Sequence, residues 1–399
     1  MSCRSMRVQF RATSLISLAA LVASGCVGEP VTGARSIDSA PPVFATSTTG
    51  VTITDLGTLG GANSSAYGIN LSGEVTGRSD MPTGNGRAFT WMPPSGPMAL
   101  LPIMAGYGYA ETYQVNDNGV VVGMEMPGSG GTRATKWEPC TTGCTGGHTI
   151  TELFAGTPYA GWNGYAIAIN NRGQIAGYIY NPANSVDSAY VYDATTRQAT
   201  FLQPLPYGPG AVPGATAWGI NNNGHVVGYS RSQPSGAVPI DGTFWASASS
   251  PPQKLPGLAS CTACTQSEPQ AINDNDWIVG YVRNPTNTDR HAVVWKPSQT
   301  DSAGMPIAWT ATDLGGFGGT QNVAYSINNA GQIVGFSKTA HDKASHAFLW
   351  QNGVMQDLGT ATGSGGSSAA SINNASPPRI AGSSSVSTQA SHAVVWTVP

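Results

Sequence analysis

The feature that most constrains this chain is a phrase it restates seven times. An Ile-Asn or Val-Asn step recurs with its asparagine at Asn70, Asn116, Asn170, Asn221, Asn273, Asn328 and Asn373. A large aromatic follows each one by 21 to 24 residues: Trp91, Trp137, Tyr192, Trp245, Trp295, Trp350 and Trp396. Two independent markers that hold such spacing seven times are not chance, and a period of 45 to 55 residues belongs to repeat architectures. Each unit reads as four strands. The first is an apolar or small run such as AIAIN, and Asn-x-x-Gly then turns the chain tightly, because both residue types tolerate a left-handed backbone. The second strand reads QIAGY or HVVGY, the third HAVVW or HAFLW, and the fourth VMQDLG, WTATDLG or ITELF.

Four short strands per unit fit the blade of a β-propeller. The ends of the repeat region separate a ring from an open stack. The seventh unit stops after HAVVWTVP with no fourth strand, while the repeat region begins with VTITDLG, a fourth strand with no unit of its own. Pairing Val51–Leu56 with the unit of Trp396 closes a ring without a raw edge. The expected fold is therefore an all-β, seven-bladed β-propeller over residues 51–399, with a β-solenoid as runner-up; a solenoid calls for polar caps, and none is evident.

The N-terminus reads as an export leader over residues 1–25. Arg4, Arg7 and Arg11 precede the apolar ATSLISLAALVA, and small residues lead to Cys26. The ASGC step resembles a bacterial lipoprotein signal, although Ala23 stands where that pattern prefers Leu. The resemblance implies lipidation at Cys26, a tether over residues 26–50 and an outer-membrane or cell-surface address, with secretion or a periplasmic location as the alternative. The repeats themselves, through SHAFLWQNGVMQDLGTATG at 345, TDLGTLGG at 54 and the INxxGxxVG step, resemble the HAF repeat family of extracellular repeat proteins. That resemblance implies an exported repeat protein and supplies no catalytic residue.

Charged residues make up only 10% of the chain and the net charge is -3, so no basic surface for nucleic acid is expected. Setting aside Cys3 and Cys26 leaves Cys140 and Cys144 in CTTGC and Cys261 and Cys264 in CTAC. The first pair follows a third strand and the second precedes a first strand, on opposite faces of a propeller. Two local disulfides are expected rather than a four-cysteine zinc site, with no metal and no cofactor. NDNG at 116 and NDND at 273 resemble calcium loops only faintly, since the same turn reads NNRG and NNAG elsewhere. His291, His346 and His392 share one repeated slot with Arg87 and Arg133, which points to a structural role. His341 and Asp342 fall in a variable loop.

No catalytic constellation emerges, and Glu111, Glu268 and Asp241 look scattered. The suggestive pattern is aromatic. Tyr67, Tyr113, Trp218 and Tyr325 stand three residues before the repeated asparagine, and Tyr107, Tyr109, Tyr159, Trp162, Tyr165 and Tyr207 lie in or beside the long loops between units. Exposed aromatics over neutral polar surface suit sugar rings or peptides; the competing reading is that they plug the central channel. The ligand-binding set is Tyr67, Tyr113, Trp162, Tyr165, Trp218 and Tyr325. The expected function is a monomeric, non-catalytic binding or scaffold module for a glycan, peptide or protein partner, touching membrane only through its anchor. The alternative is a polysaccharide hydrolase or lyase.

Overall fold

Each repeat folds as an antiparallel meander because its turn is closed by its own asparagine. Asn221 Oδ1 accepts the amides of Asn223 and His225 at 3.1 and 2.9 Å, and Gly224 completes the turn at φ +88°. Asn70, Asn116, Asn170, Asn273 and Asn328 accept the amide four residues on in the same way. In the fifth unit Asp276 takes the left-handed position at φ +60°, which explains how NDND replaces the usual glycine.

The computed structural model describes residues 50–399, apart from 129, 143, 145, 184 and 233–239, together with the strand Val43–Phe44. Cys26 and the leader expected over 1–25 lie outside the described residues. Those described form an all-β, propeller-like set of four-stranded antiparallel arrays with no α-helix, the one helical turn being 3-10 at Ala340–Asp342. The first unit runs Ser64–Ile69, Val75–Asp80, Gly86–Trp91 and Ala99–Leu100 in spatial order. The first strands of the later units are Tyr107–Val115, Asn163–Ile169, Gly214–Ile220, Gln266–Ile272, Gly318–Ile327 and Ser367–Ile372. Each contacts the first strand of the next unit, and Ser367–Ile372 contacts Ser64–Ile69. A single parallel bridge, Arg290 opposite Gln321, ties the fifth array to the sixth.

The last array lacks a fourth strand of its own and receives one from the other end of the chain. Thr52–Asp55 pairs antiparallel with Ser391–Thr397, Ile53 opposite Trp396, and Val43–Phe44 adds a fifth strand outside it. The repeated histidine and the repeated DLG meet here. His392 Nδ1 lies 2.9 Å from Asp55 Oδ2, and Asp55 Oδ1 accepts the Gly57 amide at 2.8 Å. The same clasp joins His346 to Asp357 at 2.6 Å and His291 to Asp313 at 2.8 Å. The histidine slot is therefore structural, as its exchange with arginine implies; Arg133 faces Glu152 at 3.6 Å in the corresponding place.

Neighbouring units are joined by three devices. The asparagine side-chain amide donates to the backbone carbonyl of the next unit's asparagine, from Asn70 to Asn116 and onward through Asn170, Asn221, Asn273, Asn328 and Asn373, at 2.9–3.2 Å. Asn373 donates to Asn70 at 3.0 Å, so the relay returns to its start. Second, the buried Trp137, Trp245 and Trp295 donate their indole N–H to Pro102, Gln203 and Pro256 in the loop leaving the preceding unit, each at 2.8 Å. Third, a polar residue of the second strand caps an amide of the incoming loop: Ser79 for Leu59, Glu125 for Met104, Ser230 for Leu205, Ser337 for Phe317 and Ser384 for Ala361. The apolar clusters lie mainly between units. One combines Val334, Leu349 and Leu358 with Ile372, Ile380 and Trp396.

The repeated Val-Gly of the second strand answers an irregularity in the first. In every unit the first strand skips one residue in its pairing with the second, at 67, 113, 167, 218, 270, 325 and 370. This β-bulge brings the first-strand carbonyls of Ser65, Glu111, Tyr165, Thr216, Glu268, Val323 and Ser368 so close to Gly77, Gly123, Gly177, Gly228, Gly280, Gly335 and Gly382 that no Cβ fits there.

Three outcomes follow. Asn221→Ala removes a buried cap and a link between units, and should cost about 2–4 kcal/mol in denaturant unfolding, since each buried amide left unpaired costs roughly 1–3 kcal/mol; a loss below about 1 kcal/mol would show the relay to be dispensable. Deleting residues 51–56 should expose the edge of Ser391–Thr397, with aggregation or a large fall in Tm; an unchanged Tm would contradict the pairing. Glu125 is fully buried and one of its oxygens has no partner. Burial raises its carboxyl from 4.5 to about 7, against the opposing Met104 amide and Arg87. Its folded value is the higher one, so its contribution is present in full below about 4.5 and lost as pH rises to about 7. Glu125→Gln should flatten the stability profile across that window, an effect on the order of 3 kcal/mol; equal pH slopes in both proteins would refute it.

Candidate functional site

The skipped residues are the positions singled out three places before each asparagine: Tyr67, Tyr113, Ile167, Trp218, Gln270, Tyr325 and Ala370. A bulge frees its side chain from the alternation of the strand and re-aims it. The rings of Tyr67 and Tyr113, on adjacent first strands, are 6.4 Å apart. Tyr67, Tyr113 and Tyr325 are half-buried, whereas Trp218 is 7% exposed and its indole N–H donates to Thr216 at 3.1 Å.

A second set of aromatics meets the first. The residue after each second-strand glycine is Tyr178, Tyr229, Tyr281 or Phe336 in units three to six, and Arg78 in the first. Tyr178 stacks on Tyr165 with centroids 4.8 Å apart and approaches Trp218 at 6.4 Å; Phe336 lies 5.8 Å from Tyr325. Burial raises the phenols of Tyr67, Tyr113, Tyr178 and Tyr229, and lifts those of Tyr165 and Tyr325 to about 12. The Tyr113 hydroxyl is buried and has no hydrogen-bond partner.

Charge enters the same surface at three places, mostly as pairs. Tyr109 donates to Glu111 Oε2 at 2.8 Å, and Tyr67 also hydrogen-bonds to Glu111. Arg78 contacts Asp80 at 2.6 Å and lies over the Tyr109 ring at 5.4 Å. Burial raises Glu111 above the ordinary carboxylate value, with Tyr109, Arg78 and Tyr67 opposing it. Further round, Arg231 pairs with Asp187, and Arg283 with Glu268 at 2.8 Å. One carboxylate oxygen of Glu268 is left without a partner.

The structure thus assembles Tyr67, Tyr113, Tyr165, Trp218 and Tyr325 around the first strands. Trp162 stands apart. It meets Tyr159 edge-on at 5.2 Å, and both rings pack against the core of the third unit with Phe154 and Phe201. Glu111 and Glu268, scattered in the sequence, fall beside the aromatics. The aromatic position after the second-strand glycine was overlooked, yet the recurring GY and GF of units three to six carried that signal. Tyr207 is engaged with Asp241 at 3.0 Å. The calcium-like carboxylates are taken up by neighbouring turns: Asp117 accepts the Leu71 amide and Asp274 the Asn222 amide, both at 2.8 Å. Asp342 likewise accepts the amide and hydroxyl of Thr320.

Cys140 is bridged to Cys144 and Cys261 to Cys264. Two disulfides agree with export from a reducing cytosol. Among the described residues no helix is long and apolar enough to cross a membrane.

Residues 214–358 match a family described as "Protein of unknown function (DUF3466)". The resemblance to HAF repeats and to a lipoprotein signal is therefore corrected: the match lies elsewhere, and nothing places this chain with either. The words that carried the repeat resemblance have a local cause, since Asn-x-x-Gly, Val-Gly and the His/DLG pair are written by the turn, the bulge and the clasp. No curated protein matches the chain by sequence. Among solved structures, it is similar to an oligogalacturonate lyase from Vibrio parahaemolyticus, with TM-score 0.55 and 12% identity over 90% of this chain and 96% of that one. It is similar also to an oligogalacturonate lyase in complex with manganese, with TM-score 0.52 and 11% identity over the same shares. At these identities the likeness is one of fold alone. The fucose-recognising six-bladed lectin of Aleuria aurantia overlaps at TM-score 0.36 with 14% identity, over 69% of this chain and 86% of that one, which is too distant to bear on this chain.

Proposed function

We propose that residues 51–399 form a closed seven-bladed β-propeller, exported from the cytosol, that binds a neutral oligosaccharide at the mouth of its channel without catalysis. Support for closure comes from the asparagine relay that returns from Asn373 to Asn70 and from the contact between the first and last innermost strands. Support for the ligand class comes from one observation above the others: bulges re-aim Tyr67, Tyr113 and Tyr325 on the innermost strands and leave each ring partly accessible, among acids held largely in ion pairs. Ring faces take the apolar face of a sugar, while phenol hydroxyls and amides take its edges. Tyr165 and Trp218 are buried, both against Tyr178, and are left out of the ligand-facing set. Peptide and protein ligands are the other occupants such a surface admits. A free cation would be needed to prefer an acidic ligand; Arg78, Arg231 and Arg283 already face carboxylates, and Arg290 is held over the Tyr281 ring at 5.1 Å and donates to Asn287.

A polysaccharide lyase or hydrolase is the second reading. What favours it is Glu111, a carboxyl raised by burial beside two phenols and near Arg78, on a fold like that of the lyases above. A raised carboxyl in a cleft is a candidate general acid. It ranks second because no unpaired base accompanies it among the residues described.

A glycan array probed with residues 50–399 separates the two. Binding without product is expected, and Tyr67→Ala or Tyr113→Ala should each weaken it by about 1–3 kcal/mol, the scale of aromatic stacking platforms, with Tm little changed. Accumulation of unsaturated sugar from oligogalacturonate, abolished by Glu111→Gln, would establish the lyase instead. Absence of any glycan signal, with peptides retained, would remove the sugar assignment.

A further inference from the structure

The loop carrying Cys261 and Cys264 leads into the first strand of the fifth unit, and its bridge lies against the start of that unit's third strand, Arg290–Thr300. One potential ligand atom from each of Cys261, Cys264, Asp289 and His291 falls within 4.8 Å of the others. The imidazole is already oriented. His291 Nδ1 is 2.8 Å from Asp313 Oδ2, and its Nε2 faces Asp289 Oδ2 at 3.5 Å. The contact to Asp313 is the clasp of the repeat, since His346 and His392 make it too. Among the described residues, what sets the fifth unit apart is that the far nitrogen faces a second carboxylate and that both sulfurs of the bridge lie in the same group of donors. A carboxylate behind a histidine is how zinc-binding imidazoles are held. Two thiolates at C-x-x-C spacing, one imidazole nitrogen and one carboxylate oxygen make a full tetrahedral set for a borderline-soft ion.

We propose that Cys261, Cys264, Asp289 and His291 form a redox-gated site for one Zn2+ ion, closed while the disulfide stands and open when both cysteines are thiols. With the bridge intact, neither sulfur is a thiolate and the ion lacks half its donors. A dithiol opens it: the dithiol becomes a disulfide, and its two electrons and two protons convert the bridge to two thiols. Zn2+ then replaces the two thiol protons, which pass to solvent. Cys264 is buried and the other three residues are half-buried, so the ion is shielded on one side and reached from the other. The site rests on none of the residues assigned to glycan binding. The Cys140–Cys144 bridge is the internal comparison, for no such set of donors surrounds it among the described residues.

The test uses protein carrying Cys140→Ser and Cys144→Ser, reduced with a phosphine, freed of reductant without air and titrated with Co2+ and then Zn2+. One equivalent of cobalt is expected, with thiolate-to-cobalt absorption and the intense visible bands of a tetrahedral ion, displaced by zinc. The oxidised protein should bind none. His291→Ala and Asp289→Asn should each weaken zinc binding at least tenfold, and Asp313→Asn should weaken it by roughly 10–100-fold, the range for residues that orient a ligand. Folding of each variant is checked by circular dichroism, and either of the first two suffices if the other does not fold. Absence of stoichiometric binding after reduction, equal binding by the oxidised protein, or affinity unchanged in both His291→Ala and Asp289→Asn would overturn the proposal.

Discussion

One side-chain amide holds this molecule to its form. In each unit the asparagine carboxamide oxygen closes a turn while its nitrogen reaches the backbone of the next unit. Its own unit supplies that nitrogen with at most one acceptor, Glu74, Gln174 or Gln332 for Asn70, Asn170 and Asn328, so a single repeat excised from the chain would leave a donor hydrogen wanting a partner. Aspartate could replace the oxygen but not the donor, and glutamine would overshoot the turn. That is why the same residue stands at this place in all seven units, while the residues around it vary.

The bulge has the opposite character. It fixes the backbone and the glycine opposite, yet it leaves the choice of its own side chain open, as the run Tyr, Tyr, Ile, Trp, Gln, Tyr and Ala demonstrates. Where the scaffold does not dictate a residue, its identity reflects other demands. The aromatic weight falls on units one, two, four and six and is absent from unit seven. The surface is therefore lopsided although the scaffold repeats, which suits a ligand with two distinct ends better than one with rotational symmetry.

Much of this was legible because the repeat aligns the chain against itself. Asn70 to Asn373 fixed the count of units, the orphan VTITDLG foretold its pairing with Trp396, and the spacing of CTTGC and CTAC foretold two local bridges. The histidine slot could be read as structural because arginine shares it. What escaped was whatever depends on depth or on two strands at once. The bulge at Tyr67 is invisible in one strand's pattern, since it exists only in the mismatch with Val75–Asp80. Glu111 looked scattered because Arg78, its neighbour in space, belongs to another unit. Asp289 and His291 lie more than twenty residues from Cys264, and no periodicity links them. The family resemblance misled for a related reason: short words fixed by backbone geometry recur wherever that geometry does.

The clasp between His392 and Asp55 spans 337 residues of chain. Drawing together ends so far apart costs roughly 5 kcal/mol in loop-closure entropy beyond a constant, whereas every other array is assembled from strands close in sequence. Local arrays therefore form early and the composite one late, the order expected when distant contacts must await nearby ones. During synthesis or passage through a membrane, Thr52–Asp55 waits as an unpaired edge until Ser391–Thr397 arrives. The neighbouring strand Val43–Phe44 pairs along the opposite edge of Thr52–Asp55, so the edge that receives Ser391–Thr397 stays open until the two ends meet.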